Sequence, residues 1–477
     1  MTFPPVGAHS PTGPGSMDQV LRSLLNHATQ GFNLPDYWEA KGMGYDAWLE
    51  WQLDYEAIDD SAVDSALAYY PTLTMNNPTL YTTYVNDAAT VVYELQDANL
   101  RRSIYSRKQL YERMVEFWTD HFSISQLDDY CLWFKTRDEA RVIRKHALGS
   151  FPEMLRNSPK SAAMLWYLDN WNNQAGAVQE NYARELLELH TLGVDGPYTQ
   201  QDVVEVARCF TGWTFTGLYD SQPIGLFSFK GNYHDYGQKT VLGNVINGSG
   251  VSEGEQVIDI LATHPKTAEF ISTKMARWLL GYEPPQDLID RLVQIYLSTQ
   301  GSIKPMVREI LSMEVLGKVK PEVRTKFKRP YHVVTSIMRA ARVSSSNLLA
   351  LTSELQRLGH VPYWYATPDG YPDTVEKWGR SLLPRWQFLS RLFGGYAGGG
   401  IIGNTVDTIG LGDLMDTAPP GSNYAQQIDW VLTGGDSDPA HVAEVQAYKD
   451  AHPNKPNAVL RESFVLLASS PSYQLYS

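Results

Sequence analysis

Apolar residues recur at helical spacing along most of this chain, beginning at Met17. The recurrence predicts helices over Met17–His27, Tyr45–Tyr55, Thr90–Ala98, Lys108–His121, Thr136–His146, Pro152–Arg156 and Ser161–Leu168. It resumes over 181–192 and 200–211, and again over Ser252–Ala262, Pro265–Leu280, Asp287–Thr299, Ile303–Met313, Tyr331–Arg342 and Ser346–Leu358. Local chemistry marks several ends. Gly193 is a natural left-handed stop for the helix before it. Thr199-x-x-Asp202 has the form of a capping box, which starts the next helix at Gln200. Pro265, directly after His264, suits the first helical position.

One segment breaks the helical period. Leu226–Lys230 and Lys239–Ile246 are short, aromatic or β-branched, and bounded by Gly, Asn and Asp. They read as one small hairpin, with Asn247-Gly248 as a turn beyond it. The predicted fold is therefore mainly α: a large multi-helix body with a small β-hairpin insertion near 226–246. Residues 1–16 read as a flexible N-terminal lead and 17–330 as the main helical domain. Residues 331–477 read as a C-terminal helical and loop-rich subregion packed on it. The basic run from Lys318 to Arg329 reads as a linker or an anion-facing loop, most simply as a solvated connector.

Composition narrows the function classes. A hydrophobic content of 43% is enough for a packed core. A net charge of −13 lacks the basic footprint that a general nucleic-acid binder needs to displace counterions. No apolar run is long enough to span a membrane. Met1 to Gly15 has no basic start and no apolar stretch, so no signal peptide is read there. The expected compartment is cytoplasmic unless a signal has been removed. Cys131 and Cys209 form no Cys-x-x-Cys pair. Gly398-Gly-Gly-Ile-Ile-Gly403 matches a dinucleotide fingerprint by letters, but it follows a helix and no strand precedes it, so that reading is rejected. No cofactor is implied. With 13 Trp and 28 Tyr against 15 Phe, the aromatic residues favour rings with a polar tip. Such rings suit sugar stacking, and equally a core that uses Tyr and Trp at helix crossings.

Candidate chemistry concentrates in Asn181-Tyr-Ala-Arg-Glu-Leu-Leu-Glu-Leu-His-Thr-Leu-Gly193. Asn181, Arg184, Glu185 and Glu188 fall on one helical face. Two carboxylates one turn apart can divide acid and base roles if burial raises one of them. Arg184 and Glu188 also explain each other as a simple ion pair. His190 lies near the helix end, where the dipole favours its charged form. Trp118-Thr-Asp-His121 ends another helix, and His234-Asp235 sits in the predicted hairpin loop. A metal could draw on His121, Glu185, Glu188, His190 or His234, but no helical ligand signature links them, and no metal is expected.

These stretches occur in a fixed order with Ala147-Leu-Gly149, Tyr167-Leu-Asp-Asn170, Thr211-Gly-Trp213, His234-Asp-x-Gly-x-Lys239 and His264-Pro-x-Thr-Ala268. Lys328-x-Pro330, Arg339 and Pro368-x-Gly-Tyr-Pro372 follow. Together they resemble the bacterial family called domain of unknown function 1800, over about residues 18–390. Asn181, Arg184, Glu185, Glu188 and His190 all belong to the signature that carries the resemblance. The resemblance implies frequent export and a sulfatase-like partner protein. Gly359-His360 stands where Gly-Gln is commoner, and the early Leu24-Leu25-Asn-His also departs from the pattern.

The sequence reading is an enzyme using carboxylate and imidazole acid–base chemistry on a polar substrate, with a polysaccharide or oligosaccharide as the first expectation, by hydrolysis or elimination. Glu185, Glu188, His121, His234 and Asp235 are the candidate catalytic residues. Asn181, Tyr182, Arg184, His190, Trp118 and Trp213 are the candidate substrate-binding residues. Asp120, Asp169 or Asp235 would supply the carboxylate opposite Glu185 or Glu188. The alternative is a non-catalytic partner or scaffold protein whose polar stripe is a buried structural network.

Overall fold

The computed structural model describes residues 16–318, 326–343, 348–394 and 408–476. The architecture is mainly helical, with three small two-stranded antiparallel sheets among the described residues. Helices form where the apolar period predicts them. Examples are Ser16–Ala28, Gln109–His121, Gln200–Cys209 and Pro265–Leu279. The Thr199–Asp202 capping box is present, and Pro265 opens its helix with the His264 imidazole accepting from the Lys266 amide at 3.0 Å. One apolar cluster runs from Leu21 to Tyr473 and crosses residue 330 without a break. The glycine-rich stretch at 398–403 lies outside the described residues.

Three expectations are corrected. The hairpin near 226–246 is two hairpins. Phe227–Phe229 pairs with Trp213–Phe215, and Lys239–Val241 pairs with Asn244–Ile246. Leu242 and Gly243 both adopt positive φ, 47° and 77°, so a two-residue turn folds 239–246 on itself. The basic run is not a solvated connector where it is described. Lys326 and Arg329 are buried, Lys326 on the carbonyls of Arg277 and Trp278 and on Asp373. Its strand, Lys326–Phe327, pairs with Leu475–Tyr476.

The third correction is the helical stretch from Asn181, which is not regular. Asn181–Glu185 is α-helical, but Leu186–Thr191 widens into a π-helix, with the Leu192 amide bonded to the Leu187 carbonyl at 2.8 Å. A π-turn shifts the faces that follow it relative to an α-helix. Asn181 is exposed and Arg184, Glu185 and Glu188 are half-buried, while His190 turns inward and is 1% exposed.

Candidate active-site cavity

A cavity of about 550 Å³ opens where three segments meet. The first is the C-terminal end of Gln109–His121, contributing Phe117, Asp120 and His121. The second is Pro265–Leu279, contributing Lys274, Arg277 and Trp278. The third is the loop Asp369–Glu376. Gly370 lets that loop approach: its φ is 75°, and a Cβ there would lie 2.3 Å from the Asp120 carbonyl oxygen. Behind the loop, His360 is buried between Tyr371 and Trp378, with ring centroids 4.1 and 5.2 Å away.

Lys274 and His121 form a hydrogen-bonded pair in the lining of this cavity. The Lys274 amine donates to His121 Nδ1 at 3.0 Å. His121 Nε2 lies 3.1 Å from the His190 carbonyl oxygen. A carbonyl only accepts, so Nε2 carries the proton and Nδ1 presents a lone pair to the lysine. Burial, then the Lys274 charge, holds His121 well below the usual imidazole range, so the ring is neutral. Burial also depresses Lys274, to about 8, although Asp120 and Asp369 pull the other way. Among the described residues Lys274 has no ion pair. A neutral amine is therefore roughly a tenth of the population at pH 7, where an ordinary lysine is almost wholly protonated.

The wall below the pair is charged and closed. Arg329 bonds both Glu116 and Asp120, the latter at 2.5 Å, and its guanidinium lies 4.5 Å over Trp278. Arg113 lies over the same ring at 4.1 Å. Glu116 also meets His332 and Gln30, and burial is outweighed there by His332 and Arg329, which hold the carboxyl well below its ordinary range. These groups hold one another and define the floor. At the mouth, the terminal nitrogens of Arg277 make no hydrogen bond among the described residues; only its Nε is engaged, by the Tyr282 carbonyl.

The candidate residues of the 181–193 stretch divide. His190 meets His121 directly, with ring centroids 5.9 Å apart. Glu185 is raised above the usual carboxylate range by burial, then by Glu188, and by Asp369 on the cavity rim, against the pull of Arg184. Arg184 and Glu188 form an outer ladder instead: Arg184 donates to Glu180 at 3.0 Å, to Gln200 at 2.9 Å and to Glu188 at 3.4 Å. Asn181 is exposed and reaches Asp169 at 3.5 Å, not Glu185. Tyr182 is buried against Phe210.

His234 and Asp235 do not join them. His234 Nε2 meets Glu253 at 2.9 Å, its Nδ1 lies 2.8 Å from the Thr211 carbonyl oxygen, and Lys239 also pairs with Glu253. Asp235 is held by Arg208 at 2.8 Å, which keeps its carboxyl below the usual range. Trp118 and Trp213 are core residues, Trp118 donating to the Ala147 carbonyl at 3.0 Å. Among the described residues no group of three or more His, Cys, Asp or Glu is placed to hold a metal. A larger, open groove of about 880 Å³ lies between Leu349–Arg357 and Leu382–Phe393, but its one carboxylate, Glu354, is spent on Arg357 and Arg391.

The sequence argument passed over Lys274, Asp369, Arg329 and Tyr371. Three of these sit in or beside motifs already in view, Lys328-x-Pro330 and Pro368-x-Gly-Tyr-Pro372. Lys274 had a subtler signal: Phe270, Lys274 and Trp278 stand at i, i+4 and i+8 on one helix face.

Those motifs also decide the family. The family model described as "Protein of unknown function (DUF1800)" matches residues 23–475. The chain belongs to this family. Nothing matches among curated proteins or among solved structures. Of the motif residues quoted from the sequence, His121 and Gly370–Pro372 line the cavity, His190 meets His121, and His234 and Lys239 lie in the closed network.

Proposed function

We propose that this protein is an acid–base enzyme acting on a polar substrate in the Lys274–His121 cavity. The observation that carries the reading is the Lys274 amine, which is bonded to a neutral imidazole and has no carboxylate partner among the described residues. A base works best when its pKa lies near the working pH, and a lysine reaches that range only by being desolvated. Lys274 takes the proton, with His121 Nδ1 as its hydrogen-bond partner. The proposed acid is Glu185, which is raised by burial, then by Glu188, and in part by the charge of Asp369 on the cavity lining. Phe117, Trp278 and Tyr371 supply flat apolar walls. Flat walls and scattered polar groups suit a polysaccharide or oligosaccharide. A lysine base favours elimination over hydrolysis, because hydrolysis of a sugar bond runs on two opposed carboxyls. The sulfatase-like partner protein expected from the family resemblance fits this class, since removing sulfate exposes hydroxyls that a polar cavity can bind.

The test is a screen of purified protein on pectate, alginate, xylan, laminarin and chitosan, reading both new reducing ends and the ultraviolet absorbance of unsaturated sugar. Activity on at least one polymer is expected, and Lys274→Met should remove it. A folded protein silent on all five counts against the glycan reading. The scaffold reading is favoured by one observation, the sealed His234–Glu253–Lys239 network, and it predicts that Lys274→Met alters no activity at all.

A further inference from the structure

We propose that Lys274 is also a nucleophile, which condenses with the carbonyl of a small neutral aldehyde to form an imine in this cavity. Three features of the geometry point to it. The amine lines a cavity large enough for a sugar-sized ligand and is itself only partly covered. Its one hydrogen bond among the described residues is to the lone pair of His121 Nδ1, which can take a proton from the nitrogen as it attacks. The Phe270 ring lies 5.3 Å from Nζ, an apolar neighbour that offers the amine no hydrogen bond.

The other buried lysines lack this combination. Lys135 is tied to Asp138 at 2.7 Å and to Glu139 at 3.3 Å, Lys239 to Glu253, and Lys326 to Asp373, while Lys328, which burial depresses to about 7 and which has no ion pair among the described residues, lies over the Tyr473 ring and does not line the cavity. A carboxylate partner favours the ammonium, which has no lone pair to attack with; burial depresses Lys326 to about 8 even against Asp373, but Lys326 does not line the cavity. Lys274 escapes that pairing, and its depressed pKa of about 8 agrees with the geometry.

The step balances without any oxidant or reductant. The Nζ lone pair forms a bond to the carbonyl carbon, and the oxygen becomes a hydroxyl. The C–O bond then breaks as the C=N bond forms. Both protons of the neutral amine leave with the carbonyl oxygen as one water, the first by way of His121 Nδ1. The rim carries both signs, Arg277 as well as Glu283, Asp369 and Glu376, and a small neutral aldehyde meets no strong opposing field there. The open-chain form of a sugar is an aldehyde of this class. The inference rests on the proposed function only for the location of the site.

The probe is D-glyceraldehyde with cyanoborohydride, which fixes an imine as a stable secondary amine, applied to the full chain at neutral pH. Peptide mass spectrometry then compares Lys274 with the exposed Lys318 and Lys455. Modification of Lys274 is expected to be faster by on the order of tenfold or more. His121→Asn, with its fold checked by circular dichroism, should lose most of that advantage. Modification of Lys274 at the rate of Lys318 or slower overturns the imine, and an undiminished advantage in His121→Asn overturns the role of the imidazole. Slow labelling together with activity on a polysaccharide removes the nucleophile and leaves the acid–base reading. Fast labelling with no such activity does the reverse.

Discussion

His234, Lys239 and Glu253 form a cluster in which each charge is answered, whereas His121 and Lys274 share no carboxylate and face a cavity. The chemistry of the side chains is nearly the same in both places. In the first, Glu253 accepts from the imidazole, the lysine and the amides of Ser249 and Gly250, and it is fully buried. Burial alone would raise its carboxyl, but those donors outweigh it and hold the group below its ordinary value. In the second, the lysine meets an imidazole that is itself neutral, and Asp120 and Asp369 offset the cost of burying its charge only in part. A buried lysine with a carboxylate stabilises a fold by staying charged; one without is left available to react.

The largest expected effect separates the two directly. Lys274→Met should lower turnover by about 10²- to 10⁴-fold, the usual contribution of a positioned base. Its melting temperature should hold or rise by a few degrees, because the variant no longer buries an amine at a cost. Below the unfolded lysine value of 10.5 the unfolded chain binds the proton more readily than the folded one, so the wild-type lysine opposes folding at neutral pH. Glu253→Gln should behave in the opposite way. It strands the Lys239 ammonium, and breaking one side of a buried pair costs roughly 3–5 kcal/mol. Chemical denaturation should show that loss, while Lys274 reactivity in the folded fraction stays unchanged. Matching stability losses in both variants would erase the distinction between the clusters.

A smaller effect comes from His190, which burial and then the Lys274 charge hold down to about 3. The sign follows from which state binds the proton. An unfolded histidine titrates near 6.5, so below that pH the unfolded chain takes up a proton that folded His190 refuses. Its contribution to stability is complete above about 6.5 and drains away as pH falls towards 3. Between pH 8 and 5 that amounts to about 2 kcal/mol. His190→Phe suits a site whose neighbour Phe122 lies 4.8 Å away, ring centre to ring centre. The difference in stability between wild type and His190→Phe should therefore shift by about 2 kcal/mol over that range. A constant difference would mean that His190 is hydrated and not sealed.

Much of the fold was legible in the sequence because its signals are local. Helix period, the Thr199–Asp202 cap, Pro265 at a helix start and Gly193 at positive φ all depend on a few neighbouring residues. The parts that escaped depend on distant ones. Trp213–Phe215 gave no strand signal of its own, because its partner strand lies beyond a long loop. Lys326 and Arg329 read as surface charges, because Asp373, Glu116 and Asp120 are supplied by other segments. The site was half legible. His121, Glu185 and His190 were singled out by type and spacing, but the lysine that meets His121 is 153 positions away. The π-turn that turns His190 inward carries no signature in the pattern of apolar residues.

The smallest expected effect belongs to the outer stripe. Arg184 is about as exposed as Glu180, 37% against 38%, and Glu188 is little less so at 23%. Exposed pairs at this spacing contribute about 0.5 kcal/mol or less, and salt screens them. Arg184→Ala and Glu188→Gln should each change stability by no more than that, and the change should shrink in high salt. Neither should alter the reaction of Lys274 with glyceraldehyde, since the stripe meets the cavity only through Glu185 and His190. Glu185→Gln is the informative contrast on the same helix, because its carboxyl is the one that feels Asp369. If Arg184→Ala lowered polysaccharide turnover tenfold with stability unchanged, the stripe itself would be part of the substrate's path. The family signature would then describe one continuous site instead of a cavity beside a solvated ladder.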